Sequence, residues 1–129
     1  MENEDFESIV EAAIKNIPQE FREKMENVNI LVEDWPAEYQ LHILRKRGEK
    51  GMLLGLYEGI PRTKRGRYGI GGQLPDKITV FRIPLLRVSE NIKDLVRNIQ
   101  NTVIHEIGHH FGMNEEQIRD AMKETSFLN

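Results

Sequence analysis

The chain contains no cysteine. Disulfides are therefore excluded, as is thiolate ligation, which leaves His, Asp and Glu as the side chains able to hold a transition metal. Long hydrophobic runs are also missing. Nothing approaches the ~20 consecutive apolar residues that a bilayer-spanning helix requires, and mean hydropathy is -0.53. The acidic start, Met1-Glu2-Asn3-Glu4-Asp5-Phe6, lacks the apolar stretch of a secretory signal, so a cytoplasmic location and no membrane partner are expected. Aromatic residues make up only 7% of the 129, and the net charge is -3. That balance argues against nucleic acid as the main partner. No repeat, low-complexity stretch or linker interrupts the sequence, which predicts one domain over residues 1–129.

Charge is unevenly spread. Arg45, Lys46, Arg47 and Lys50, then Arg62, Lys64, Arg65 and Arg67, make the middle basic while both ends are acidic. Aromatic residues are not interleaved there as a base-stacking platform would require, so solvated loops and strand edges are the expected setting. A functional setting would be a patch that guides an acidic peptide or partner toward a cleft.

Periodicity predicts an α+β chain. Phe6, Ile9, Val10, Ala13, Ile14 and Ile17 recur at helical spacing over residues 4–16, and Pro18 suits the first position of a short helix reaching Met25. Strands are expected at Val28–Val32, Met52–Tyr57 and Lys77–Ile83, the last ended or marked as an edge by Pro84. Trp35 to Tyr39 reads as a turn or short helix. A further helix starts at Ser89 as N-cap and carries Ile92, Val96, Ile99, Val103, Ile107 and Phe111 as its apolar stripe.

That helix holds the chemistry. His105-Glu106-Ile107-Gly108-His109 is a His-Glu-x-x-His pattern, in which positions i and i+4 stand one above the other and present two imidazoles as metal ligands. Glu106 is then placed to take a proton from a water activated by the metal, with zinc the expected cofactor. At about 100° of rotation per residue, His105 lies about 200° from both Val103 and Ile107, off the apolar stripe. A histidine kept for packing would sit within that stripe. Gly108 is costly inside a helix, by about 1 kcal/mol relative to Ala, and a close approach of another backbone would account for it.

Gly112 suits the left-handed residue that ends a helix, and Asn114 with Gln117 forms a capping box for a second helix from Glu115 to Phe127, with Ile118 and Met122 facing inward. A catalytic zinc takes three protein ligands and leaves one position open. Glu115 or Glu116 is the nearest candidate for the third. His110 points about 100° away from His109, which fits contact with a ligand's neighbour or with substrate rather than ligation. In Arg67-Tyr68-Gly69-Ile70-Gly71-Gly72-Gln73-Leu74-Pro75, no Lys-Ser/Thr pair follows as a phosphate loop would need. Such a loop could border the cleft near an edge strand that takes a peptide as an added strand, with Tyr68 donating to an oxyanion.

The segment from His105 to Glu115, with Gly55 to Thr63 and Leu74 to Arg82 upstream, resembles the small single-domain zincin-like metallopeptidases of bacteria, the minimal zincins. The resemblance spans roughly residues 5–125. Their pattern is His-Glu-x-x-His-His-Phe-Gly-x-x-Asp; here Glu115 stands where the last Asp is usual. The likeness implies a zincin fold, with a small twisted sheet packed on the active-site helix and further helices around it. It also implies zinc held by His105, His109 and Glu115 with Glu106 as general base, but no known substrate; a peptide or protein is the expected one. A metal-stabilised binding module without turnover is the competing expectation, and hydrolysis of a non-peptide amide a third.

Overall fold

The computed structural model describes residues 1–49, 51–59 and 75–125. In chain order they form α1 (Asn3–Lys15), α2 (Gln19–Lys24), β1 (Val28–Glu33), α3 (Glu38–Lys46), β2 (Gly55–Glu58), β3 (Asp76–Phe81), α4 (Arg82–Arg87), α5 (Ile92–His110) and α6 (Glu115–Glu124). This is the expected α+β class. It has a small mixed sheet in the order β1-β3-β2, with β1 parallel and β2 antiparallel to β3.

Alternation along β3 sorts its side chains onto two faces. Ile78 and Val80 join Tyr57 of β2 in the main core, against α1 and α5, whereas Phe81 and Leu56 form a second cluster with Leu44 of α3 and Leu53. Burying each large apolar side chain in this way contributes roughly 1.5–3 kcal/mol. The main core runs from Phe6, Val10 and Ala13 of α1 through Val96, Ile99, Val103 and Ile107 of α5 to Ile118 and Ala121 of α6.

Helix α5 is central. Leu95, Gln100, Ile104, Glu106 and Gly108 are buried in addition to the expected stripe, because α1, α4, α6 and the sheet cover it from several sides. At its two ends, beyond these layers, Ile92 and Phe111 are about half exposed rather than core. Its N-cap is Asn91, whose side chain accepts from the Asp94 N–H, and not Ser89. The Ser89 hydroxyl instead donates to Leu85 O and accepts from Asn98.

Other expectations shift for local reasons. Pro18 is the N-cap of α2 rather than its first helical residue. The chain from Glu38 to Lys46 is a nine-residue helix, so Arg45 and Lys46 ride an exposed last helical turn, where their charge favours the helix dipole, not a loop. Strand β3 stops at Phe81 and passes directly into α4, where Pro84 is the third residue. Proline is tolerated there because first-turn N–H groups have no helical acceptor. β3 is also the middle strand, so Pro84 marks no sheet edge. Trp35 is exposed, with the Arg87 guanidinium over its ring. Helix α6 ends at Glu124, and Phe127 lies outside the described residues, as do Lys50, Arg62, Lys64, Arg65, Arg67 and Tyr68. No described helix is long and apolar enough to cross a membrane.

Candidate metal centre

Three local devices bring the ligands together. The first is helical spacing: His105 and His109 leave α5 one turn apart, and their Nε2 atoms face each other at 3.0 Å. The second is the turn after α5. Gly112 takes φ +77°, a conformation that costs a residue with a side chain more than it costs glycine. Met113 N–H then donates to Gly108 O and Gly112 N–H to His109 O, the double bond pattern of a Schellman cap. This reverses the chain within a few residues. The third is the Asn114–Gln117 capping box, which holds the first turn of α6.

Gly108 sets how close α6 can come. A β-carbon there would lie 2.6 Å from Cγ1 and 2.9 Å from Cδ1 of Ile118. The close approach is therefore from a side chain of α6, not from another backbone. Packed this tightly, α6 presents Glu115 to the histidines: Glu115 Oε1 is 3.1 Å from His109 Nε2 and 3.8 Å from His105 Nε2. Glu116 does not join the group.

These separations suit a zinc ion. Ligands about 2.0–2.1 Å from a tetrahedral centre stand about 3.3–3.4 Å from one another, and the three distances of 3.0, 3.1 and 3.8 Å bracket that value. Among the described residues no fourth His or acid completes the group. His109 and Glu115 are exposed, so one side of the site opens to solvent, as in zinc centres that keep a position for water.

Glu106 points elsewhere on the helix and is 8% exposed. Its Oε1 accepts a 2.8 Å hydrogen bond from the backbone N–H of Tyr57, while Oε2 lies 3.9 Å from His105 Nδ1. Gly55 makes this reach possible. A β-carbon at that position would come within 2.5 Å of Thr102 Cγ2, so only glycine lets β2 lie this close to α5. The Glu106 carboxylate beside Nδ1 holds His105 above the usual histidine range, against the opposing effect of partial burial; Glu115 and Glu49 add to the rise.

Two recesses flank Glu106. One, of about 270 Å³, is lined by Arg47, Glu49, Tyr57, Glu106, His109 and His110. The other, of about 350 Å³, is bordered by Leu44, Met52, Leu53, Leu54 and Met122 together with His105 and Glu106. The general-base candidate thus sits on a wall between a polar and an apolar space.

His110 stays outside the ligand group. Its ring stacks on Tyr57 with centroids 3.9 Å apart, and its Nε2 is 3.9 Å from Asp76 Oδ2. Tyr57 in turn donates a 2.6 Å hydrogen bond from its hydroxyl to Asp76. Tyr57 and Asp76 were not expected at the site from sequence, and Arg47 only as one member of a basic patch near a cleft. They arrive from β2, β3 and the end of α3, and only the order of the sheet beside α5 reveals them. His42 is exposed on α3.

The chain is similar to a conserved hypothetical protein of known structure from Thermus thermophilus. The two are 22% identical with a TM-score of 0.50, covering 92% of this chain and 98% of the other, a likeness of fold alone. No curated protein matches significantly. The sequence profile of the zincin-like metallopeptidases matches residues 25–124, from the end of α2 to the end of α6, and so includes every residue of the candidate metal centre. With most of its length under that profile, and with the His-Glu-x-x-His helix packed on a small mixed sheet, this chain belongs to the zincin-like metallopeptidase family.

Proposed function

We propose that the protein is a zinc-dependent peptidase in which His105, His109 and Glu115 hold the metal and Glu106 is the general base. The observation that carries this reading is the placement of Glu106. Its carboxylate follows the first ligand directly in sequence, is buried, is oriented by a backbone N–H on Oε1, and borders both recesses beside the histidines.

Zinc held there would acidify a water toward neutral pH and polarise the scissile carbonyl. Glu106 takes the water's proton and delivers it to the leaving amine. The Tyr57 N–H keeps the carboxylate from rotating away, which preserves the alignment that proton transfer requires. A peptide has a surface to lie along. Among the described residues β2 is an edge strand, and Phe81 N–H donates to Leu54 O, so Leu54, Leu56 and Glu58 turn toward β3 while Gly55 and Tyr57 face away from it. A substrate strand laid along that edge at Gly55 would pass directly by Glu106, whose carboxylate already holds the Tyr57 N–H. His110, stacked on Tyr57 at the rim of the polar recess, is positioned to touch the substrate backbone.

The test is hydrolysis of a diverse peptide library by zinc-loaded protein and by its Glu106→Gln variant. Cleavage that disappears in the variant while zinc stays bound supports the mechanism. Cleavage unaffected by the variant refutes it. A second reading draws on Glu115 coming from α6: a metal tying α5 to α6 stabilises a binding module without turnover. It predicts no hydrolysis of any peptide, but a large fall in melting temperature on chelation.

A further inference from the structure

Arg47 is the one lysine or arginine among the described residues that lines either recess beside Glu106. It caps the C-terminal end of α3, and its side chain is 39% exposed. Nη1 lies 3.7 Å from Glu106 Oε1. That is the oxygen bonded to the Tyr57 N–H, whereas the oxygen facing His105 is Oε2. Arg47 therefore stands beside the base on the side held by Tyr57, next to the outward-facing edge of β2, and shares the polar recess with His109. This is a place for a substrate group beside the scissile bond.

The contact with Glu106 leaves the guanidinium poorly used. At 3.7 Å and through one nitrogen, it is well beyond the roughly 2.7–2.9 Å of a charge-assisted hydrogen bond. A guanidinium presents a rigid fork of five N–H donors that fits a carboxylate in bidentate fashion. The polar recess in front of it, about 270 Å³, has room for such a group.

Resting on the peptidase reading above, we propose that Arg47 receives a carboxylate of the substrate beside the scissile bond, and so selects peptides that carry one there. The carboxylate is either the C-terminus of the chain or an Asp or Glu side chain. Binding it turns the fork from Glu106 into the recess and leaves Glu106 to the water. Glu49 lines the same recess and repels an anion. Without Arg47 that repulsion stands alone, so the preference for a carboxylate reverses.

The test uses matched peptides that differ only in charge: free C-terminal acid against C-terminal amide, and Asp or Glu against Asn or Gln next to the cleaved bond. For the zinc-loaded protein the expected ratio of kcat/KM, acid over neutral, is about tenfold in at least one pair, the magnitude of a half-exposed charge-assisted contact. The pair that shows it identifies the source. In Arg47→Ala the ratio falls to one or below, and Arg47→Lys, which keeps charge but not the fork, falls between. Equal loss on acid and neutral members in Arg47→Ala overturns the proposal and makes Arg47 a general electrostatic group. No preference in the unaltered protein also overturns it. Binding of the same peptides to zinc-loaded Glu106→Gln protein separates this idea from the peptidase reading. Tighter binding of the acids, lost on adding Arg47→Ala, upholds carboxylate recognition even where no peptide is cleaved; equal binding of acids and amides overturns it.

Discussion

Replacing Gly108 by alanine should disturb the metal centre more than the fold. The added carbon would stand 2.6 Å from Ile118 Cγ1 and 2.9 Å from Cδ1, where contact between carbons is optimal at about 3.5–4.0 Å. Relief needs a movement of roughly 1 Å. Ile118 is fully buried between the helices, and its β-branched side chain has few rotamers available, so much of that movement passes to α6. Overpacking of this kind costs about 1–3 kcal/mol, and alanine returns about 1 kcal/mol of helix propensity. The net expected loss of stability is therefore about 0–2 kcal/mol. The effect on zinc is larger, because ligand distances tolerate only about ±0.2 Å, and Glu115, three residues before Ile118 on α6, moves with it. Urea denaturation of the metal-free protein and competition with a zinc chelator measure the two quantities separately. The expected outcome is zinc affinity lowered by at least tenfold with the chain still folded. In an Ile118→Ala background the clash is gone, and Gly108→Ala should become neutral or stabilising. If the glycine substitution costs the same in both backgrounds, or stabilises the protein with zinc affinity unchanged, this account of the α5–α6 approach is wrong.

Four further outcomes follow from the site. Glu106→Gln should lower peptide hydrolysis by about 10²–10⁴-fold with zinc content preserved, read by elemental analysis beside the activity assay. Glu115→Ala should weaken zinc binding by at least about a hundredfold, beyond the usual cost of losing a residue that merely supports a ligand, whereas Glu116→Ala should not; similar losses from both would displace Glu115 as a ligand. Asn114→Ala removes the side chain that accepts from Gln117 N–H and should cost about 1 kcal/mol, visible as a lower melting temperature. In the metal-free protein the raised pKa of His105 makes its protonated form favour folding: that contribution is complete below about 6.5 and is lost as pH rises through the higher folded value. Its titration followed by NMR should move down in Glu106→Gln, since Glu106 is the leading cause, and a titration left in place would assign the shift to another group.

The helical elements of the site were readable because their signals are local. The i, i+4 spacing of the histidines, the glycine at the C-terminal cap and the Asn114–Gln117 box each act within a few residues, so α5, the turn and the start of α6 were placed from sequence alone. Helix starts were less legible where two polar residues competed, as Ser89 and Asn91 did. The choice went to the one whose oxygen reaches a first-turn N–H. Helix α3 was obscured because its apolar side, Leu44 with the partly buried Ile43, is short and gains its burial from Phe81 and Leu56 across the sheet. The handover from β3 to α4 was hidden for the same kind of reason. Arg82 is drawn off the strand path by Asp34 and by the Met1 carbonyl, partners 48 and 81 residues away.

By itself the sequence determined the candidate group: two imidazoles and a carboxylate on one helix, the imidazoles kept off its apolar stripe, with a second acid, Glu115 or Glu116, at the start of the next helix. Covalent spacing and helical geometry suffice for that. Tertiary structure decided which acid meets the histidines, Glu115 and not Glu116, because the distance from α5 to α6 depends on Gly108 and Ile118 meeting. It also decided what surrounds the base. Tyr57 is 49 residues from Glu106 along the chain, and Arg47 lies at the end of a different helix. Such contacts depend on how strands are ordered and how closely β2 lies on α5, and no local period encodes a distance between elements.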